Sequence, residues 1–152
     1  DGVDDKVDLL FSGQQYKKFQ EAYYSPILEK YSLNLIDVRV LLFLVEHEGC
    51  DTARDIVKIH GLAKSYVSKS IDKLIEKGFL EGMHLKDDRR YIHLLVTKKA
   101  FPVIQAMREQ RKKMLQRLFE GISDEEVLML RRVAARISTN ITEMEGLYEQ
   151  QF

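Results

Sequence analysis

Residues 63–97 read AKSYVSKSIDKLIEKGFLEGMHLKDDRRYIHLLVT, and the hydrophobic period changes once inside that stretch. Up to Gly78, the apolar residues Val67, Ile71, Leu74 and Ile75 recur at helical spacing. Lys64, Ser65, Tyr66, Ser68, Lys69 and Lys73 are left on the other side. Gly78 supplies a C-cap. Beyond it, FLEGMHL and YIHLLVT are rich in β-branched and aromatic residues and flank a charged cluster. That pattern predicts a hairpin with its tip at Lys86 to Arg90, which projects the arginines away from the core.

Working outward, Asn34 is a good N-cap with Asp37 three residues on. The nearly continuous apolar run Val38 to Val45 then predicts a buried helix ending at Gly49. Thr52 and Asp55 have capping-box spacing, and Ile56, Val57 and Ile59 give a short helix that stops at Gly61. Two helices joined by a short Gly-containing turn form a helix-turn-helix. A hairpin directly after it gives the order of a winged helix. A first helix is expected within 7–31, with Tyr16, Phe19, Tyr23, Ile27 and Tyr31 on one face and Pro26 bending or interrupting it. A later helix begins between Thr97 and Phe101 and uses Phe101, Ile104, Met107, Leu115 and Leu118. Gly121 breaks it, Ser123 and Glu126 form another capping box, and the last helix uses Leu130, Val133, Ile137, Ile141, Met144 and Tyr148.

The first and last helices are too long for so small a domain to cover, and an apolar stripe must be buried somewhere. A two-fold dimer would bury both. The expected fold is therefore mostly α with a small β-hairpin wing. A single domain spans 1–152. A winged helix-turn-helix lobe over 34–97 is flanked by dimerisation helices in 1–33 and 98–152.

A chain of 152 residues suits one domain, and 45% hydrophobic with 32% charged residues suits a globular one. The run Val40 to Val45 is far short of the ~20 apolar residues of a membrane span. The acidic start, DGVDDKVDLLF, lacks the basic region of a signal peptide; a chain starting at Asp1 reads as trimmed. The lone cysteine, Cys50, has no internal disulfide partner and fits a reducing cytoplasm.

Net charge is zero, but unevenly spread. Residues 1–57 carry 6 basic and 11 acidic side chains, 58–99 carry 10 and 5, and 100–152 carry 8 of each. The basic surplus is thus local and falls on the middle third of the chain, and a local basic surface is what binding to a phosphate backbone requires. The bland alternative is a solvated charged face.

The major groove of B-DNA admits one α-helix, whose N-terminal side chains reach base edges. Lys64, Ser65, Tyr66, Ser68 and Lys69 are the candidates, weighed against an ordinary polar helix face. An arginine on a projecting turn can enter a narrow minor groove. Arg90 is assigned to that groove. Asp88, two residues away on an extended strand, would orient it through a bidentate contact. Arg89 and Lys86 would meet phosphates, and Thr52, Arg54 and Lys73 join Lys86 as backbone candidates.

From Leu33 to Thr97 the chain resembles the MarR (multiple-antibiotic-resistance regulator) family of bacterial transcription factors. The likeness is carried by SYVSKSIDKLIEKGFLE, by the wing Asp88-Arg89-Arg90 and by LLVTKKA after it, and the flanking helices match in number and length. The resemblance implies a homodimer built from the terminal helices and two lobes reading a pseudo-palindromic operator. Half-sites would lie ~10 bp apart. Repression is the expected sign of control. It also implies frequent control by small phenolic or other ligands, or by oxidation. Several positions depart from the pattern. Ala100 stands where many members have Gly, with Pro102 delaying or kinking the next helix. Ala63 stands where many have a polar helix cap. Glu81 and Gly82 stand where an arginine is common.

Tyr16, Phe19, Tyr23 and Tyr31 are candidates to line an effector pocket for a small aromatic or phenolic ligand; dimer core is the alternative. Peroxide-sensing members of the family have a reactive cysteine in the first helix. Cys50 is elsewhere, and acidic Glu48 and Asp51 beside it work against a reactive thiolate. His47 and Cys50 are three apart, but no second cysteine completes a zinc site, so no metal or cofactor is expected. No phosphate-binding glycine loop or nucleophile elbow is present, and an enzyme is not expected. The rival function is a winged-helix protein–protein interaction module that turns the basic surface to an acidic protein without binding DNA.

Overall fold

The structure, a computed structural model, describes residues 13–151. The expected helical residues 7–12 and the side chain of Tyr148 lie outside the described ones. The elements run α1 (Gln14–Tyr31), α2 (Leu35–Glu46), α3 (Ala53–His60), α4 (Lys64–Glu76), β1 (Leu80–Leu85), β2 (Asp88–Val96), a 3-10 turn (Lys98–Ala100), α5 (Phe101–Leu118) and α6 (Asp124–Gln151). The fold is mostly helical with a two-stranded antiparallel hairpin, the winged-helix arrangement read from the sequence.

The chain forms two compact units. One is Tyr24–Lys113; the other comprises the described parts of 1–23 and 114–152. The expected lobe limits, 34 and 97, fall inside the first unit. Tyr24, Leu33, Val103, Ile104 and Met107, beyond those limits, are all buried.

In the first unit, Val38, Val40, Leu41 and Phe43 of α2 are buried with Ile56 of α3 and Val67 and Leu74 of α4, and Phe79, Leu80 and Leu94 of the hairpin join them. Each such side chain contributes about 1.5–3 kcal/mol on burial. Within the two strands only Leu80 and Leu94 are buried; the other strand residues are half-buried or exposed.

Three reciprocal caps start the helices where the sequence places them. Asn34 and Asp37 cap α2, Thr52 and Asp55 cap α3, and Ser123 and Glu126 cap α6. Each satisfies two backbone N–H groups that a helix start leaves without partners. Gly61 closes α3 in the left-handed conformation at φ 66°, which a residue with a Cβ adopts only under strain. Ala63 precedes α4 with no side-chain cap, as its methyl group dictates.

Both prolines are accommodated. Pro26 lies inside α1, which runs on to Tyr31 rather than stopping. It removes one N–H, and the packing of residues such as buried Tyr24 outweighs that loss. Pro102 is the second residue of α5, so helix entry is not delayed past it. First-turn N–H groups have no acceptor within the helix, and proline forfeits nothing there.

The hairpin is tighter than expected. Only Lys86 and Asp87 form the turn; Asp88, Arg89 and Arg90 already belong to β2. From Leu80↔Val96 to Met83↔His93 the register is regular, and it then jumps to Leu85↔Asp88. Residues 89–92 therefore face a single residue, His84, across the sheet. This bulged segment bends β2 and re-aims its side chains. Gly82 is fixed by a close approach, since a Cβ there would stand 2.9 Å from Ile92 Cγ2. That explains why no arginine occupies this point.

Candidate nucleic-acid interface

The proposed DNA contacts all lie in the Tyr24–Lys113 unit. Lys64, Ser65, Tyr66, Ser68 and Lys69 are all exposed on the first two turns of α4, while Val67 between them is buried. Tyr66, 58% exposed, is a large aromatic ring held in water. The helix presents donors, acceptors and one ring on a face backed by a solid core.

The opposite side of α4 is tied down. Asp37 of α2 is buried, and three donors converge on its carboxylate. Ser70 Oγ donates to Oδ1 at 2.7 Å, Lys73 Nζ to Oδ2 at 2.7 Å, and the Asn34 N–H to Oδ2 at 2.9 Å. A buried carboxylate is tolerated only when paired and hydrogen-bonded, so α4 is seated on α2 by charge as well as by packing. This gives Lys73, expected at the DNA backbone, an internal partner. Thr52 is likewise turned inward: its hydroxyl donates to Asp55 Oδ2 at 2.8 Å as part of the α3 cap.

In the wing, Arg89 and Arg90 are exposed, with 84% of the Arg90 side chain open to solvent. Asp88 does not grip Arg90 in a bidentate pair; Arg90 Nε is 3.8 Å from Asp88 Oδ1. Asp88 instead turns its other oxygen to His93, whose Nε2 lies 3.2 Å from Oδ2, and His93 Nδ1 lies 2.7 Å from Asp51 Oδ1. The Asp51 hydrogen bond, and then Asp88, raise the His93 pKa above 6.5 against partial desolvation. The backbone follows the same path, with the Leu94 N–H donating to the Asp51 carbonyl at 2.8 Å.

Tyr91 receives two arginines. Arg54 of α3 donates to its hydroxyl at 2.7 Å, and the Arg54 and Arg90 guanidinium carbons lie 5.8 and 5.7 Å from its ring centre. Asp51, Tyr91 and His93 escaped the sequence reading. A histidine in an otherwise apolar strand was the available signal for His93, but nothing local ties it to Asp51, 42 residues away. Lys86 stands exposed at the turn.

The aromatic candidates divide. Phe19 is flanked on α1 by Tyr16 and Tyr23, with ring centres 6.3 and 5.8 Å away. Tyr31 is two turns farther along, about 12 Å, with the Lys30 ammonium 5.5 Å from its ring. Cys50 sits half-buried between α2 and α3. Among the described residues, no three or more His, Cys, Asp or Glu side chains are grouped to hold a metal ion. No described helix is long and apolar enough to cross a membrane.

Residues 31–90 match the sequence model of the MarR family. Among solved structures, a MarR protein from Peptoclostridium difficile is 18% identical, with 90% of this chain and 89% of that one covered and a TM-score of 0.76. Staphylococcus aureus MarR, solved with salicylate and kanamycin, is 19% identical over 90% of this chain and 92% of its own, at 0.72. Staphylococcus aureus MepR, solved with DNA, is 19% identical over 89% and 96%, at 0.57. At these identities the structural likeness is one of fold.

Proposed function

We propose that this chain, whose residues 31–90 match the MarR family, is a homodimeric, sequence-specific DNA-binding transcriptional regulator of that family. The observation that carries the reading is the pairing, in one unit, of the exposed polar start of α4 with a hairpin whose Arg90 projects into solvent. Residues 58–99, the segment that contains both elements, carry 10 basic and 5 acidic side chains. Lys64, Ser65, Tyr66, Ser68 and Lys69 read the major groove. Arg90 enters the flanking minor groove, and Arg89, Lys86 and Arg54 meet phosphates. That a protein of like fold, Staphylococcus aureus MepR, was solved with DNA supports DNA as the partner.

The dimer is proposed from α6, where Met129, Val133, Ile137, Ile141 and Met144 form an exposed apolar stripe at spacings of three and four. Repression relieved by a small aromatic or phenolic effector completes the proposal. The protein of like fold solved with salicylate supports a small aromatic ligand, and the Tyr16–Phe19–Tyr23 row offers rings for such a ligand to stack on.

Fluorescence anisotropy on duplex DNA across a salt series tests the reading. Each phosphate contact adds about 0.9 to the magnitude of the log K against log salt slope. A steep slope is expected, with Arg90→Ala weakening binding about tenfold. A folded dimer that bound no duplex at low salt would overturn the reading in favour of the protein-interaction module.

A further inference from the structure

A neutral imidazole has one donor nitrogen and one acceptor nitrogen; an imidazolium has two donors, and an ionised carboxylate only accepts. Both His93 nitrogens face carboxylate oxygens within hydrogen-bonding distance, at 2.7 Å from Asp51 and 3.2 Å from Asp88. With both acids ionised, only the doubly protonated ring satisfies both contacts. Loss of a proton sets a nitrogen lone pair against a carboxylate, and the longer contact, to Asp88, is the one that yields.

The surroundings say where Asp88 then goes. Its Oδ1 is buried without a hydrogen bond and is ion-paired at long range with Arg90 Nε, 3.8 Å away. The other charged groups around His93 are committed or distant along their elements. On α3, Arg54 is bonded to Tyr91 and Asp55 to Thr52. On β1 the residue opposite is Met83, with Glu81 and His84 the nearest ionisable neighbours in that strand.

We propose that His93 is a proton-operated brace for the wing: its imidazolium ties Asp88 to Asp51 and limits Arg90 to a long, single contact with Asp88, so that DNA affinity falls as this proton is lost and Asp88 closes on Arg90. This inference rests on the DNA-binding reading above. The raised affinity of the ring for its proton, due first to Asp51 and then to Asp88, places the change on the alkaline side of 6.5.

The test is anisotropy on one duplex from pH 6 to 9 at fixed ionic strength, with wild type beside His93→Gln. The same free proteins are titrated by NMR of the imidazole nitrogens. Wild type is expected to lose about tenfold in affinity across that range, the scale of one charge-assisted hydrogen bond. His93→Gln is expected to remove that loss. The NMR titration of His93 is expected above 6.5 and to move down in Asp51→Asn, which also replaces His93→Gln in the binding comparison if circular dichroism shows the latter unfolded. Parallel pH profiles in wild type and variant overturn the brace and leave the DNA reading standing. Absence of binding at every pH overturns the DNA reading. The brace is then judged by NMR alone, and a His93 titration at or below 6.5, or one indifferent to Asp51→Asn, overturns it.

Discussion

At Asp37 one carboxylate performs two tasks, capping α2 and holding α4 through Ser70 and Lys73. Asp37→Ala is expected to cost about 3 kcal/mol, because it strands several donors and leaves Lys73 without its counter-charge; the shift in urea midpoint measures it. The first task was legible, since Asn34 and Asp37 are three residues apart. The second was not, because Ser70 and Lys73 are 33 and 36 residues away and no local pattern encodes that pairing. His93 supplies a stability counterpart to the DNA experiment. Its pKa is raised in the folded state, so its contribution is fully present below the unfolded value of ~6.5 and is lost as pH rises through the folded value. The difference in unfolding free energy between wild type and His93→Gln should therefore be largest near pH 6 and shrink toward pH 9 in denaturant titrations.

Among the elements, those set by local chemistry were readable. The capping pairs, the helical stripe of α4 and the change of period at Gly78 all act within a few residues. The tight turn and the register jump in β2 were not readable, because they are decided by what the strand packs on. Gly82 is such a point. Gly82→Ala puts a methyl group against Ile92 Cγ2 and should destabilise the wing by about 1–3 kcal/mol. Adding Ile92→Ala should recover part of that loss, and thermal melts of the single and double variants give the coupling. If the double variant lost the sum of the two single effects, the contact would not be the cause. Thr52→Ala should cost about 1 kcal/mol through the α3 cap, again read by melting.

For the molecule as a whole, the charge distribution was more informative than the net charge. A balance of zero hid a basic surplus confined to the elements now found in the Tyr24–Lys113 unit. That compact unit runs beyond residues 34–97, because burial outside them depends on long-range packing that periodicity does not reveal. The exposed stripe on α6 leads to a prediction at this scale. Ile137→Glu places a charge where a partner helix is proposed, so sedimentation should show a monomer. Its DNA affinity should fall at least tenfold as two linked half-site contacts become one.

The backbone bond from the Leu94 N–H to the Asp51 carbonyl also provides a clock. In deuterated water that amide proton is surrendered only when the hairpin parts from the segment before α3. Its exchange half-life, compared with those of amides deep in α2, therefore times how often the wing lets go in the absence of any ligand.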